Sequence, residues 1–157
     1  GWRYLEAAPE DQGQGNWFFC EGEVPGTGGT SPGSGKGNTI EELEKQILVK
    51  TSPGSGKGNT RAIVKIGGES DIAATIAARY RGGGKSDWFL PSRDELDLMY
   101  KNLHKAGIGG FSNGDYWSSS GRTQNRFTDG WSQNFASGKQ SVTYGENQFA
   151  VRAARSF

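Results

Sequence analysis

The ten-residue sequence TSPGSGKGNT occurs twice, at residues 30–39 and again at 51–60. An exact repeat of this kind indicates a recent tandem duplication in a surface loop or an engineered peptide insertion. Its glycine, serine and proline favour a flexible loop over a packed element. We therefore expect one domain of 157 residues in which residues 30–60 are an insertion.

The segment between the two copies, residues 40–50, reads IEELEKQILVK and has a helical pattern. Thr39 and Glu42 form a capping box at its start. Ile40, Leu43 and Ile47 fall on one stripe of such a helix. This inserted helix could pack on a partner or on a second copy of the chain, so Ile40, Leu43 and Ile47 are candidate assembly residues and a homo-oligomer is possible.

The repeat also resembles a phosphate-binding loop, but it departs from that motif where the chemistry matters. In GxxxxGK[ST] the residue after the lysine supplies a hydroxyl to magnesium. Here Lys36 and Lys57 are each followed by glycine. Nucleotide binding is therefore not expected, and the glycines indicate a flexible loop.

Charge and composition exclude several classes of protein. The chain carries 18 basic and 17 acidic residues, which gives no overall attraction to nucleic acid. Cys20 is the only cysteine and His104 the only histidine, which disfavours a disulfide, a zinc site and a Ser/His catalytic arrangement. No apolar run is long enough to span a membrane, and the first residues do not resemble a signal peptide. We expect no metal, no cofactor and no enzymatic activity.

Aromatic residues make up 11% of the chain, with five tryptophans, which indicates a folded core built on large rings. Three helices are predicted outside the insertion: residues 61–66 after Thr60, 72–80 after Ser70 or Asp71, and 93–106 after the capping box of Ser92 and Glu95.

Short runs that alternate apolar and polar residues predict strands. They lie at residues 2–8, 116–120, 131–135, 140–144 and 149–155. Ser137, Gly138 and Lys139 are typical of a hairpin turn. The first and last strands suit each other in length and composition, so we expect them to pair and to bring the chain ends together.

Several motifs of the C-terminal half resemble the Lcl C-terminal-like family, named for a Legionella collagen-like adhesin. They are WFLPSRDEL at 88–96, YWSSS at 116–120, WSQNF at 131–135 and VRAAR at 151–155. The opening GWRYLEAA is also similar to this family. The resemblance covers about residues 1–24 and 58–157, and it does not extend over the repeat and its helix.

The resemblance implies an α+β, C-type-lectin-like fold, with two main helices flanking small antiparallel sheets and with the terminal strands paired. It also implies a non-enzymatic recognition or adhesion module outside the cell or on its surface, which in the namesake binds sulfated glycans as a trimer. The EPN, QPD and WND runs that hold calcium in true C-type lectins are absent, so we expect binding without calcium. Ligands could be anionic glycans or a protein partner.

The polar segment at residues 121–130 joins two predicted strands, and binding residues are often carried by such loops. Residues 115–157 hold five basic and three acidic side chains, an excess of 5 − 3 = +2 that suits sulfate or carboxylate groups. The candidate ligand-binding residues are Arg122, Gln124, Asn125, Arg126, Phe127, Asp129, Lys139, Tyr144 and Asn147.

Other large and charged residues of this half have simpler structural roles. We expect Arg152 and Arg155 to pair with acidic residues or to cover the sheet, and Trp117 and Trp131 to lie in the core. The alternative function is a structural, self-assembling surface or filament subunit. In that case the 40–50 helix or the glycine-rich loop would mediate assembly.

Overall fold

A computed structural model describes residues 4–17, 50–67, 71–124 and 127–157 of the chain, and these ranges form a mixed α+β structure. Their helices are α1 (Gly56–Gly67), α2 (Ala73–Arg79) and α3 (Arg93–Asn102). Their strands are β1 (Leu5–Ala7), β2 (Gln14–Gly15), β3 (Asp115–Gln124), β4 (Phe127–Asn134), β5 (Gln140–Tyr144), β6 (Phe149–Ala150) and β7 (Ala154–Ser156). The described ranges thus hold three α-helices, where the resemblance implied two main ones.

The two ends of the described chain pair with each other, as predicted. Strand β1 runs antiparallel to β7, with Leu5 opposite Ser156 and Ala7 opposite Ala154. The pairing continues beyond the strands, because the Tyr4 N–H donates to the Phe157 carbonyl at 3.1 Å. These two strands form a small sheet of their own.

The second sheet has five strands in the order β2-β6-β3-β4-β5. Strands β3 and β4 form a long antiparallel hairpin whose register shifts between Trp117 and Gly121. The prediction of one strand over 149–155 is wrong, because β6 and β7 belong to different sheets. Val151 lies between them and exchanges hydrogen bonds with Gln12 and Gly13, which redirects the chain from one sheet to the other.

Large rings fill the core between the helices and the five-stranded sheet. Trp117, Tyr116 and Phe135 are fully buried, which confirms the expectation for Trp117. Truncating a ring of this kind to alanine typically costs ~3–5 kcal/mol. Trp131, which is expected in the core, is only half-buried. The guanidinium carbon of Arg93 lies over its indole ring, 5.0 Å from the ring centre.

Helix α1 begins inside the second copy of the repeat, so the prediction of a flexible loop over 51–60 followed by a helix start after Thr60 is wrong. Gly56 opens the helix, and Asn59 and Thr60 are buried within it. A Cβ atom at Gly56 would lie 2.1 Å from the Glu95 Oε2 and 2.8 Å from the Ser92 nitrogen. Glycine is required here for close packing against α3.

The capping box at the start of α3 is confirmed, and it also holds the turn before α1. The Ser92 N–H donates to the Glu95 Oε2 at 2.7 Å, and the Gly54 N–H donates to the Oε1 at 2.7 Å. Glu95 is fully buried, and this burial raises its pKa above 4.5, although the same N–H groups oppose the shift. One carboxylate therefore joins two segments 41 residues apart.

The ends of the other helices differ from prediction. Ile72 precedes α2 without a side-chain cap, and Asp71, predicted to cap it, instead pairs with Arg79 at 3.1 Å. Ser70 lies outside the described residues. Helix α3 ends at Asn102, and a short 3-10 turn carries His104, whose ring packs 5.2 Å from that of Phe135.

The structural roles predicted for Arg152 and Arg155 are confirmed. Arg152 is fully buried, and its Nε lies 2.6 Å from the Asp11 Oδ1. Its Nη1 also donates to the Ala8 and Gly109 carbonyls, at 2.9 and 2.6 Å. Because it bonds to residues from both halves of the chain, Arg152 stabilises the packing of the N-terminal segment.

Candidate functional site

Most of the predicted ligand-binding residues fall near the end of the β3–β4 hairpin at which β3 finishes and β4 begins. The strands extend through most of the segment predicted as a loop, because β3 continues to Gln124 and β4 begins at Phe127. The register places Arg122 opposite Asp129 and Gln124 opposite Phe127. Asn125 and Arg126 lie outside the described residues.

Strand β5 adds Tyr144 to this end of the sheet, directly opposite Asp129. The Tyr144 side chain is 69% exposed. Asn147 follows in the next turn, and its N–H and its side-chain amide both donate to the Tyr144 carbonyl at 3.1 Å. The structure thus brings the backbones of Arg122, Asp129 and Tyr144 together.

Lys139 does not join this group. It precedes β5 at the hairpin turn, where Gly138 has a φ of +76°. The five residues of β5 separate Lys139 from the predicted surface by ~17 Å at about 3.4 Å per residue. One small ligand cannot contact both ends. The predicted assembly residues Ile40, Leu43 and Ile47 lie outside the described residues.

A groove that the sequence did not predict lies between α1 and the segment at residues 86–89. Its volume is about 470 Å³. Helix α1 forms one wall, Ala78 of α2 contributes to the lining, and residues from Ser86 to Phe89 form the other wall. The groove is thus built by segments that are separated in the sequence and meet only in the fold.

The α1 side of the groove carries a row of cations, which we call the basic rim: Lys57, Arg61 and Lys65. They are four residues apart, so they follow one another along the same face of the helix at intervals of ~6 Å. Arg61 and Lys65 are exposed, and Lys57 is half-buried. Within the described residues none of the three forms an ion pair.

The one carboxylate of the groove is already paired. The Arg155 Nε donates to the Asp87 Oδ1 at 3.0 Å, and the Arg155 Nη2 donates to the Asp87 Oδ2 at 3.3 Å. The hydrogen bonds that Arg155 donates to Asp87 lower the pKa of Asp87, and those that it donates to Asp87 and Glu6 raise the pKa of Arg155. Asp87 therefore remains ionised at neutral pH, and its charge is balanced mainly by Arg155, with a smaller contribution from Lys57 of the basic rim.

The floor of the groove is mainly apolar. Val64 and Ala78 are half-buried, and the buried residues Trp88 and Phe89 complete the apolar part of the lining. Cations above an apolar floor can bind an elongated anion by charge and hydrogen bonding while they bury its apolar parts.

The signal for this site was present in the sequence but was hidden by the repeat. The basic residues at 57, 61 and 65 have helical spacing. However, Lys57 belongs to the second copy of TSPGSGKGNT, whose composition predicts a flexible loop. The opposite wall could not be paired with α1 from sequence, because no local pattern relates it to that helix.

Comparisons with known proteins add no family to this description. No family model matches the chain, and no curated protein matches it. Within the described ranges, no helix has the length and apolar character needed to cross a membrane. In the same ranges, no group of three or more His, Cys, Asp and Glu side chains is placed to hold a metal ion.

Proposed function

We propose that this protein is a non-enzymatic recognition module, displayed outside the cell or on its surface, that binds an anionic ligand in the groove beside α1. The ligand is a glycan or a protein, and binding does not need calcium. The observation that carries this proposal is the basic rim, whose three cations have no ion-pair partner in the described part of the chain.

The charges of the groove favour an anion over other ligands. Three cations line it, and its one acidic residue is paired with Arg155. An exposed ion pair contributes only ~0.2–1 kcal/mol, so three such contacts give a weak and salt-sensitive attraction. Burial of ligand atoms against Val64 and Trp88 adds the affinity that the charges lack.

We also propose that the α+β structure is a C-type-lectin-like fold of the Lcl C-terminal-like family. The paired terminal strands, the two sheets and the motifs WFLPSRDEL and VRAAR support this proposal. A crystal structure that superposes on members of that family over residues 50–157 would agree with it. A different strand order would contradict it.

The binding proposal can be tested with a fluorescein-labelled heparin fragment as the anionic probe. Arg61→Glu reverses one charge of the basic rim, and Lys105→Glu makes the same change at an exposed position of the His104–Ala106 turn. We expect Arg61→Glu to weaken binding by about tenfold and Lys105→Glu to have little effect, measured by fluorescence anisotropy. Equal losses in the two variants would show that the probe senses only overall charge.

The calcium requirement is tested in the same titration. We expect the affinity for the heparin fragment to be unchanged when EDTA is added. Loss of binding with EDTA, restored by calcium, would contradict calcium-independent recognition.

A further inference from the structure

We propose that the groove binds an extended peptide in which acidic and apolar residues alternate, and that this peptide pairs with the main chain of residues 86–88. This inference rests on the proposed function, because it names the occupant of the same groove. Three features lead to it: the direction of main-chain groups in the wall, the spacing of the basic rim, and the apolar floor.

The wall opposite α1 runs from Ser86 to Phe89, and it lies between Lys85, which has extended geometry, and the antiparallel bridge of Phe89 with Ala154. Phe89 exchanges two hydrogen bonds with Ala154 of β7, N–H to carbonyl at 2.8 Å in each direction. The next residue points the other way, because the Leu90 N–H donates to the Thr60 Oγ1 of α1 at 3.0 Å. Main-chain groups alternate in direction along an extended strand, so Trp88 directs its N–H and carbonyl to the same side as Leu90, toward the groove.

In the described part of the chain, the main-chain groups of this segment are unpaired at Ser86, which is exposed, and at Trp88, which is buried but lines the groove. Among the described residues, no hydrogen bond uses the N–H or carbonyl of Trp88 or of Ser86. Lys85, at the start of the segment, has extended geometry with φ −98° and ψ 152°. An extended peptide can add to an edge of this kind as a further strand, with main-chain hydrogen bonds providing the affinity.

The spacing of the basic rim matches such a peptide. Lys57, Arg61 and Lys65 succeed one another at ~6 Å along α1. Alternate side chains of an extended chain are ~6.6–6.8 Å apart and project from the same face. Acidic side chains at every second position of the peptide can therefore meet the three cations in turn.

The apolar floor of the groove can contact the peptide side chains that do not face the basic rim. Residues between the acidic ones project to the opposite face, and the aliphatic side chains of Val64 and Ala78 are half-buried on the floor. Valine or leucine side chains bury apolar surface there, whereas a sulfated glycan has no aliphatic branches to do so. The combination of cations, strand edge and aliphatic floor therefore favours a peptide.

The test uses two labelled peptides of the same composition with the whole chain. One is acetyl-EVEVEVEV-amide and the other is the block peptide acetyl-EEEEVVVV-amide. We expect the alternating peptide to bind about tenfold more tightly than the block peptide in fluorescence anisotropy titrations. N-methylation of two valines of the alternating peptide removes main-chain donors and should also weaken binding by about tenfold.

Variants of the protein locate the interaction. Arg61→Glu should weaken binding of the alternating peptide, and the matched surface change Lys105→Glu should not. Circular dichroism melting curves confirm that both variants fold. Equal binding of the two peptides, or no effect of N-methylation, would overturn the inference, because the groove would then bind any polyanion.

The heparin fragment separates failure of this inference from failure of the proposed function. If the heparin fragment binds in an Arg61-dependent manner and the alternating peptide does not bind, the groove is an anion site but the peptide inference is wrong. If neither probe binds, both proposals are wrong.

Discussion

Gly56 packs against α3 and the nearby Gly58 does not. Alanine substitutions at these two glycines should therefore change the stability of the protein in opposite directions. Replacing a glycine by alanine within a helix normally stabilises it, by roughly 0.5–1 kcal/mol. Gly58 is exposed, and a Cβ atom there would meet no atom within 4 Å. We therefore expect Gly58→Ala to leave the stability unchanged or to raise it by up to ~1 kcal/mol.

Gly56→Ala should have the opposite effect. Its Cβ would lie 2.1 Å from the Glu95 Oε2, 2.8 Å from the Ser92 nitrogen and 2.9 Å from the Phe89 ring. Overpacking a site of this kind costs ~1–3 kcal/mol. If Glu95 moves away, the buried N–H groups of Ser92 and Gly54 lose their acceptor, at a further ~1–3 kcal/mol.

The expected loss for Gly56→Ala is therefore ~2–6 kcal/mol. In a domain of this size that lowers the melting temperature by roughly 5–25 °C. Urea unfolding and thermal melting followed by circular dichroism measure both variants against the natural chain. If both substitutions changed stability in the same direction and by similar amounts, the close contact between α1 and α3 would be refuted.

Three further predictions concern the charged residues. Burial raises the pKa of Glu95 above 4.5, so protonation of this group increases the free energy of unfolding as the pH falls from neutral toward 4.5. Glu95→Gln should remove that increase, which urea unfolding at several pH values measures. If the free energy of unfolding changed with pH in the same way with Glu95 and with Gln at this position, the prediction would be contradicted. Asp87→Asn removes the one negative charge of the groove lining and leaves Arg155 paired with Glu6, so it should tighten binding of the heparin fragment about two- to threefold and cost less than ~1 kcal/mol of stability. Weaker binding in this variant would argue against an anion site in the groove. Arg152→Ala should cost ~3–5 kcal/mol in urea unfolding, since the Asp11 Oδ1 and the Ala8 and Gly109 carbonyls lose their donor while Asp11 keeps its bond from Tyr116, and a loss below about 1 kcal/mol would contradict the buried pairing.

Features with local causes could be predicted from the sequence. The capping box of Ser92 and Glu95 depends on residues three positions apart, and the structure contains it. The pairing of the terminal strands was also predictable, because two short strands at the chain ends had matching patterns. Arg152 and Arg155 pair with acids because an arginine that is buried, as Arg152 is, or half-buried, as Arg155 is, needs such a partner.

Features with distant causes could not be predicted in the same way. The helical start at Gly56 depends on the carboxylate of Glu95, and the local sequence around Gly56 is typical of a loop. The candidate site has the same limitation. Its basic rim has a visible spacing, but its opposite wall is positioned by the bridge between Phe89 and Ala154, which are 65 residues apart. The charge of Lys139 predicts that it belongs to the binding surface, but the strand register places it at the other end of β5 from Tyr144.

The hydrogen bonds between Tyr4 and Phe157, at 3.1 and 3.2 Å, have a consequence for protein engineering. Because these two residues are adjacent, a short glycine linker can join them without disturbing the fold. The linked chain could then be opened at the exposed turn that contains Gly83 and Gly84, giving a circular permutant with new termini. The same adjacency would allow residues 4–157 to be placed within a surface loop of another protein without forcing the two sides of that loop apart.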